Sequence, residues 1–131
     1  MIALEMRYLT KGREIQVKAG DSVYRTGQII GDDAIYFIVS GSVKLVRKMG
    51  DGSEFVYPCG PDDTFGVVSS MAGSEREEDA IAQEPSQIYV WSKDAFESAV
   101  SLYIEFARLA IQNLSRYLRA VNKELGKVGR F

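Results

Sequence analysis

Apolar and polar positions along the chain change their period once, close to residue 92. Before it, short β-prone runs are separated by turn residues; after it, apolar residues recur at steps of three and four. Ile15 and Val17 alternate with polar neighbours, Gly20-Asp21 interrupts, and Val23-Tyr24 begins another short strand before Gly27 turns the chain again. From Ala34 to Val39 the run is continuously apolar, which predicts a strand buried on both faces and turned back at Ser40-Gly41. In the next segment Val43 and Leu45 share a face that reaches solvent at Arg47, and Asp51-Gly52 supplies a hairpin turn. Phe55 and Tyr57 share a face in a strand expected to end at Pro58, and Gly60-Pro61-Asp62-Asp63 forms a polar turn ahead of Phe65-Gly66. A last strand, Gln87 to Trp91, closes the β part.

Ser92 is positioned as an N-cap with Asp94 in the first turn, which predicts a short helix through about Ala99, and Ser101 is the candidate cap of a second. Along that second helix Ile104, Ala107, Ile111, Leu114, Leu118, Val121, Leu125 and Val128 form a heptad seam. Tyr103, Phe106, Leu109 and Ala110 widen the apolar face of its first half, which should pack on the β part, whereas Tyr117 and Ala120 supplement the seam further on. The seam could pack on its own domain or on a second copy. A helix of about 25 residues extends ~37 Å and outruns so small a body, which favours a homodimer.

With 131 residues, 46% of them hydrophobic and 26% charged, one globular domain spanning 1–131 is expected, its β part over about 1–91 and its helices over 92–128. A formal net charge of −2 argues against a surface built to neutralise phosphates, so no direct nucleic-acid partner is expected. Histidine is absent altogether, which removes Ser-His-Asp and Cys-His nucleophiles, His-bound haem and the usual zinc and cupin metal sites. The expectation is therefore a protein that is not an enzyme, with no catalytic residues, no metal and no cofactor. The lone Cys59 cannot form an internal disulfide, and no apolar stretch resembles a signal peptide or a membrane span, so a cytoplasmic protein without membrane attachment is expected. Cys59 reads either as a strand-end residue or as a redox sensor, and Lys123, Lys127 and Arg130 as favourable charge at a helix C-terminus or as a docking tail.

The order Gly20-Asp21-Ser22-Val23-Tyr24-Arg25-Thr26-Gly27, Tyr36-Phe37-Ile38-Val39-Ser40-Gly41-Ser42-Val43, Asp51-Gly52 and Phe65-Gly66 resembles the cyclic-nucleotide-binding domain family. The likeness is to the effector domain of catabolite activator protein type regulators and runs from about Ile15 to Leu125. It implies a mainly β fold with C-terminal helices: a β-roll (a double-stranded β-helix), a short helix and a long dimerisation helix. It also implies a phosphate-binding cassette that begins with Phe-Gly, continues with Glu and a helical turn, and ends with Arg and a Ser or Thr. On that pattern the ligand-binding candidates are Phe65, Gly66, Val67, Val68, Ser69, Arg76 and Glu77, with Ala120 and Val121 of the long helix placed at the base. The implied ligand is cAMP, cGMP or another small anion.

Two positions depart from the pattern. Val67 stands where the family's glutamate accepts the ribose hydroxyl, a loss of about 1.5–3 kcal/mol. Glu77 stands where the Ser or Thr should be; at ~4 Å and an effective dielectric near 20 its charge opposes a phosphate by ~4 kcal/mol. Alternatively, Glu75 to Asp79 is a solvated charge cluster in which Arg76 pairs with its neighbours. The family's winged helix-turn-helix would need many tens of residues after Leu125. Two functions remain: a dimeric sensor module that binds a small anion and signals to a separate protein, or an interaction module that has lost its ligand.

Overall fold

The computed structural model describes residues 9–73 and 75–127. Within them eight strands form two four-stranded antiparallel sheets: β1 (Arg13–Val17), β2 (Ser22–Tyr24), β3 (Ile35–Ser40), β4 (Val43–Lys48), β5 (Glu54–Cys59), β6 (Thr64–Phe65), β7 (Asp79–Ala82) and β8 (Ser86–Trp91). One sheet has the order β1-β8-β3-β6 and the other β2-β7-β4-β5, so the chain passes from one sheet to the other at every step except the β4-β5 hairpin, in the manner of a β-roll. Among the described residues there are also three helices: α1 (Val67–Ala72), α2 (Lys93–Leu102) and α3 (Ile104–Lys127).

The continuous apolar run in β3 is needed because the strand separates two cores. Tyr36 and Ile38 face the interior of the roll, Ile35 and Phe37 face the helices, and all four are buried. Its partner β8 divides in the same way, Ile88 and Val90 inward, Tyr89 and Trp91 outward. The outer core is an aromatic cluster in which Trp91 meets Phe106 and Phe96 at centroid distances of 5.4 and 5.6 Å. The turn into β4 demands glycine: Gly41 has φ 95°, and a Cβ there would lie 2.7 Å from Pro85 O.

Three sequence expectations are corrected. Pro58 lies inside β5 rather than at its end, tolerated because β5 is an edge strand and the missing N–H owes nothing to a neighbour. Strand β7 begins at the end of the acidic run expected to be a solvated cluster: Ala80 and Ala82 are its buried residues, too small to signal a strand, yet Ala80 pairs with Leu45 across the sheet. Ser101 does not cap α3; α2 continues through it to Leu102, the Ser101 hydroxyl donates to Glu97 O at 2.9 Å, and extended Tyr103 separates the helices. The predicted N-cap is observed, Ser92 Oγ accepting from Ala95 N at 3.1 Å.

One flank of α3 docks through Phe106, Asn113 and Tyr117, all buried, with Ala120, Val121 and Leu125 partly buried against the roll. On the opposite side Ile104, Ile111 and Leu118, seven residues apart, remain 63%, 64% and 49% exposed. Ala107 and Leu114 of the seam are half-buried, and Val128 lies outside the described residues. Among the described residues no helix is long and apolar enough to cross a membrane.

Candidate functional site

Phe65 ends β6 with its ring stacked on Tyr36, centroids 5.1 Å apart and 11° between planes. Gly66 then takes φ 85° and starts α1, and no other residue would fit: a Cβ there would stand 2.9 Å from both Ala34 O and Arg76 Nη1. That crowding shows where Arg76 goes. Its guanidinium is folded under the cassette and donates to Ala34 O at 2.7 Å, Gly66 O at 3.1 Å, Asp33 O at 3.3 Å and Ser69 Oγ at 3.4 Å. Its Cζ stands over the Tyr24 ring, 4.1 Å from the centroid, and the residue is only 2% exposed. Arg76 thereby ties the start of β3 to the start of α1, and its charge is spent on the chain's own oxygens.

The two glutamates that follow diverge. Glu77 turns outward, 62% exposed, to a surface pair with Arg47 at 3.4 Å. Glu78 turns inward: Oε2 accepts from the Tyr24 hydroxyl at 2.8 Å, Oε1 accepts from the Tyr117 hydroxyl at 2.7 Å, and Arg47 approaches to 3.9 Å. Burial first, and then the Glu78 charge, push both phenols above their ordinary range, so they stay protonated and donate. Arg47 Nε, buried beside this cluster, has no hydrogen-bond partner.

Glu78 borders a cavity between the roll and α3 whose other walls include Leu45, Tyr57, Gly66, Val67, Val68, Asn113, Leu114 and Tyr117. Its free volume is about 30 Å³, room for one or two waters. Sites that hold drug-sized ligands run to about 300 Å³ and above. A second clamp closes its rim. Asp63 accepts from Asn113 Nδ2 and Arg116, both at 3.1 Å, while Asn113 Oδ1 accepts from Thr64 N at 3.0 Å. The hydrogen bond to Asp63 also raises the Arg116 pKa.

Of the sequence candidates, the structure brings Phe65, Gly66, Val67 and Val68 together at this cavity. Ser69 contacts Arg76 instead, Arg76 borders an open depression on the far side with Asp32 and Asp33, and Glu77 faces solvent. Ala120 and Val121 pack on the roll core, while Asn113, Leu114, Arg116 and Tyr117 supply the helical wall of the cavity. Sequence reading missed Glu78, Tyr24, Asp63 and Asn113. Asn113 carried a faint signal, a polar residue beside the seam of a helix whose inner flank is otherwise apolar.

A two-sheet β-roll with a glycine-started helix between β6 and β7, and a long helix packed on it, is the cyclic nucleotide-binding type of β-roll fold. Residues 14–103 match the family model of the cyclic nucleotide-binding domain, and the chain belongs to that family. Over 107 residues it is 30% identical to a CRP-like cAMP-activated global transcriptional regulator of Mycobacterium tuberculosis, a match covering 81% of this chain and 47% of the relative. The chain thus spans about half the length of the curated relatives it matches. The catabolite activator protein of Thermus thermophilus superposes with a TM-score of 0.71 at 24% identity, over 97% of this chain and 58% of that one. A cyclic nucleotide-binding domain from Methylobacillus flagellatus superposes with a TM-score of 0.70 at 18% identity, over 95% and 72%.

Proposed function

We propose that the chain is a non-enzymatic cytoplasmic regulatory module that works as a homodimer, joined along α3 and signalling through changes in that helix. The observation that carries this reading is the double use of one helix. Asn113, Leu114 and Tyr117 of α3 wall the cavity, while Ile104, Ile111 and Leu118 hold an exposed stripe at heptad spacing. Anything that shifts the helix against the roll therefore shifts the stripe.

Within this reading cAMP, cGMP or another small anion remains the ligand class that the family implies, bound weakly. Support comes from the about 30 Å³ of free volume, from Val67 at the family's glutamate position, and from the inward engagement of Arg76. Calorimetry is expected to show both nucleotides binding at least about tenfold more weakly than a family member with the intact cassette, a difference of ~1.4 kcal/mol or more. Tight binding of either nucleotide by the unaltered chain overturns that part of the proposal.

A further inference from the structure

Glu78 is the least expected side chain in the cavity. A carboxylate placed among Leu45, Val68 and Phe65 loses its hydration, and such a charge persists only where the protein supplies donors. Two are supplied from different parts of the fold, the Tyr24 hydroxyl from β2 and the Tyr117 hydroxyl from α3, and the Arg47 guanidinium of β4 adds a positive charge 3.9 Å away. Tyr24 serves a second purpose, since its ring face receives Arg76 while its hydroxyl donates to Glu78, so two buried groups of opposite charge meet at one aromatic ring. The resulting chain of contacts runs from the start of the cassette through Arg76, Tyr24 and Glu78 to the dimer helix.

We propose that Glu78 is a built-in ligand of this cavity, its carboxylate bridging Tyr24 and Tyr117 and holding α3 docked on the roll as a bound small anion would from outside. This deepens the reading above by naming what occupies the site and fixes the helix. It also gives the site its selectivity, because an added anion must displace a fixed negative charge to reach the same hydroxyls. The other α3 clamp, Asp63 with Asn113 and Arg116, holds the turn that precedes Tyr117, and Glu78 holds Tyr117 itself.

The chemistry of the substitution supplies the test. Glu78→Ala removes a CH2–COO− unit, the heavy-atom skeleton of acetate, and leaves the two phenol hydroxyls unpaired around a gap of that shape. Backbone amide hydrogen exchange of the full chain, without nucleotide, is expected to rise about tenfold or more over residues 117–124 in Glu78→Ala, the low end for a hydrogen bond to a charged group. Acetate at tens of millimolar should return that exchange toward the unaltered level, whereas chloride at equal ionic strength should not. Tyr117→Phe, which deletes one oxygen and keeps the packing, should raise exchange over the same residues and gain nothing from acetate. Unchanged α3 exchange in Tyr117→Phe overturns the proposal even if Glu78→Ala does not fold, and a rise in Glu78→Ala that acetate leaves untouched overturns it as well. Light scattering on the same samples keeps the two readings apart: a chain monomeric throughout ends the dimer reading, and the exchange comparison still decides the role of Glu78.

Discussion

Glu77 and Glu78 are neighbours with the same functional group, yet one side chain is 62% exposed and the other 8%, because they lead into β7, where successive side chains point to opposite faces. Sequence reading put the repulsive charge on Glu77; the geometry puts it on Glu78, one residue along. Arg76 was located by its place in the cassette, but not its direction, which is set by carbonyls of Asp33 and Ala34 more than forty positions away. No local pattern encodes that contact. The two glutamates should therefore separate in calorimetry. Glu77→Ser removes a surface pair worth about 0–1 kcal/mol and should leave nucleotide affinity within a few fold. Val67→Glu with Glu78→Ser restores an acceptor for the ribose and removes the buried charge, and should strengthen cAMP binding by about tenfold or more. Equal gains from the two glutamate changes would mean that Glu78 is not the group in the way.

At the scale of elements, the legible parts were those whose burial follows a regular period. The strand at Ile35–Ser40 announced itself by an unbroken apolar run, and α3 by a seam kept through successive turns. What stayed hidden was β7, whose buried residues are alanines, and the exact break between α2 and α3, where Ser101 offered a false cap and extended Tyr103 made the real one. The seam itself divides in the fold. Val121 and Leu125 turn partly onto the roll, and the exposed remainder is led by Ile104, Ile111 and Leu118. Because Ile111 and Leu118 contribute little to the domain's own core, Ile111→Asp with Leu118→Asp should yield a folded monomer, with circular dichroism unchanged and the scattering mass halved. An unaltered chain that is already monomeric at tens of micromolar would remove the basis for a coiled-coil dimer of useful strength.

For the whole molecule, the consequence of two cores divided by β3 and β8 is that ionisable groups are trapped in the inner one together. Cys59, Tyr24 and Tyr117 all belong to the cluster inside the roll. Burial, reinforced by Asp63 and Glu78, pushes the Cys59 thiol up to about 12 from its ordinary 9.0, and burial with the nearby Glu78 charge raises both phenols. Composition showed one cysteine and gave no hint that it would share a core with a carboxylate, since Glu78 reaches it only through the register of β7 against β4. The folded chain holds these three protons to higher pH than the unfolded chain does. Stability from this source is complete below about pH 9, and falls as the unfolded state releases protons that the folded state keeps, by about 1.4 kcal/mol per pH unit for each group. Between about pH 9 and 10 the loss is carried mainly by Cys59, and above about pH 10 the tyrosines join it and the slope steepens. Urea unfolding at fixed protein concentration should thus show a midpoint that drops from about pH 9 upward, with the first part of the drop absent in Cys59→Ala and the later part shallower in Tyr117→Phe. A midpoint that stays level to about pH 10.5, or a Cys59→Ala profile that falls as early as that of the unaltered chain, would mean that these groups are as accessible in the folded state as in the unfolded one.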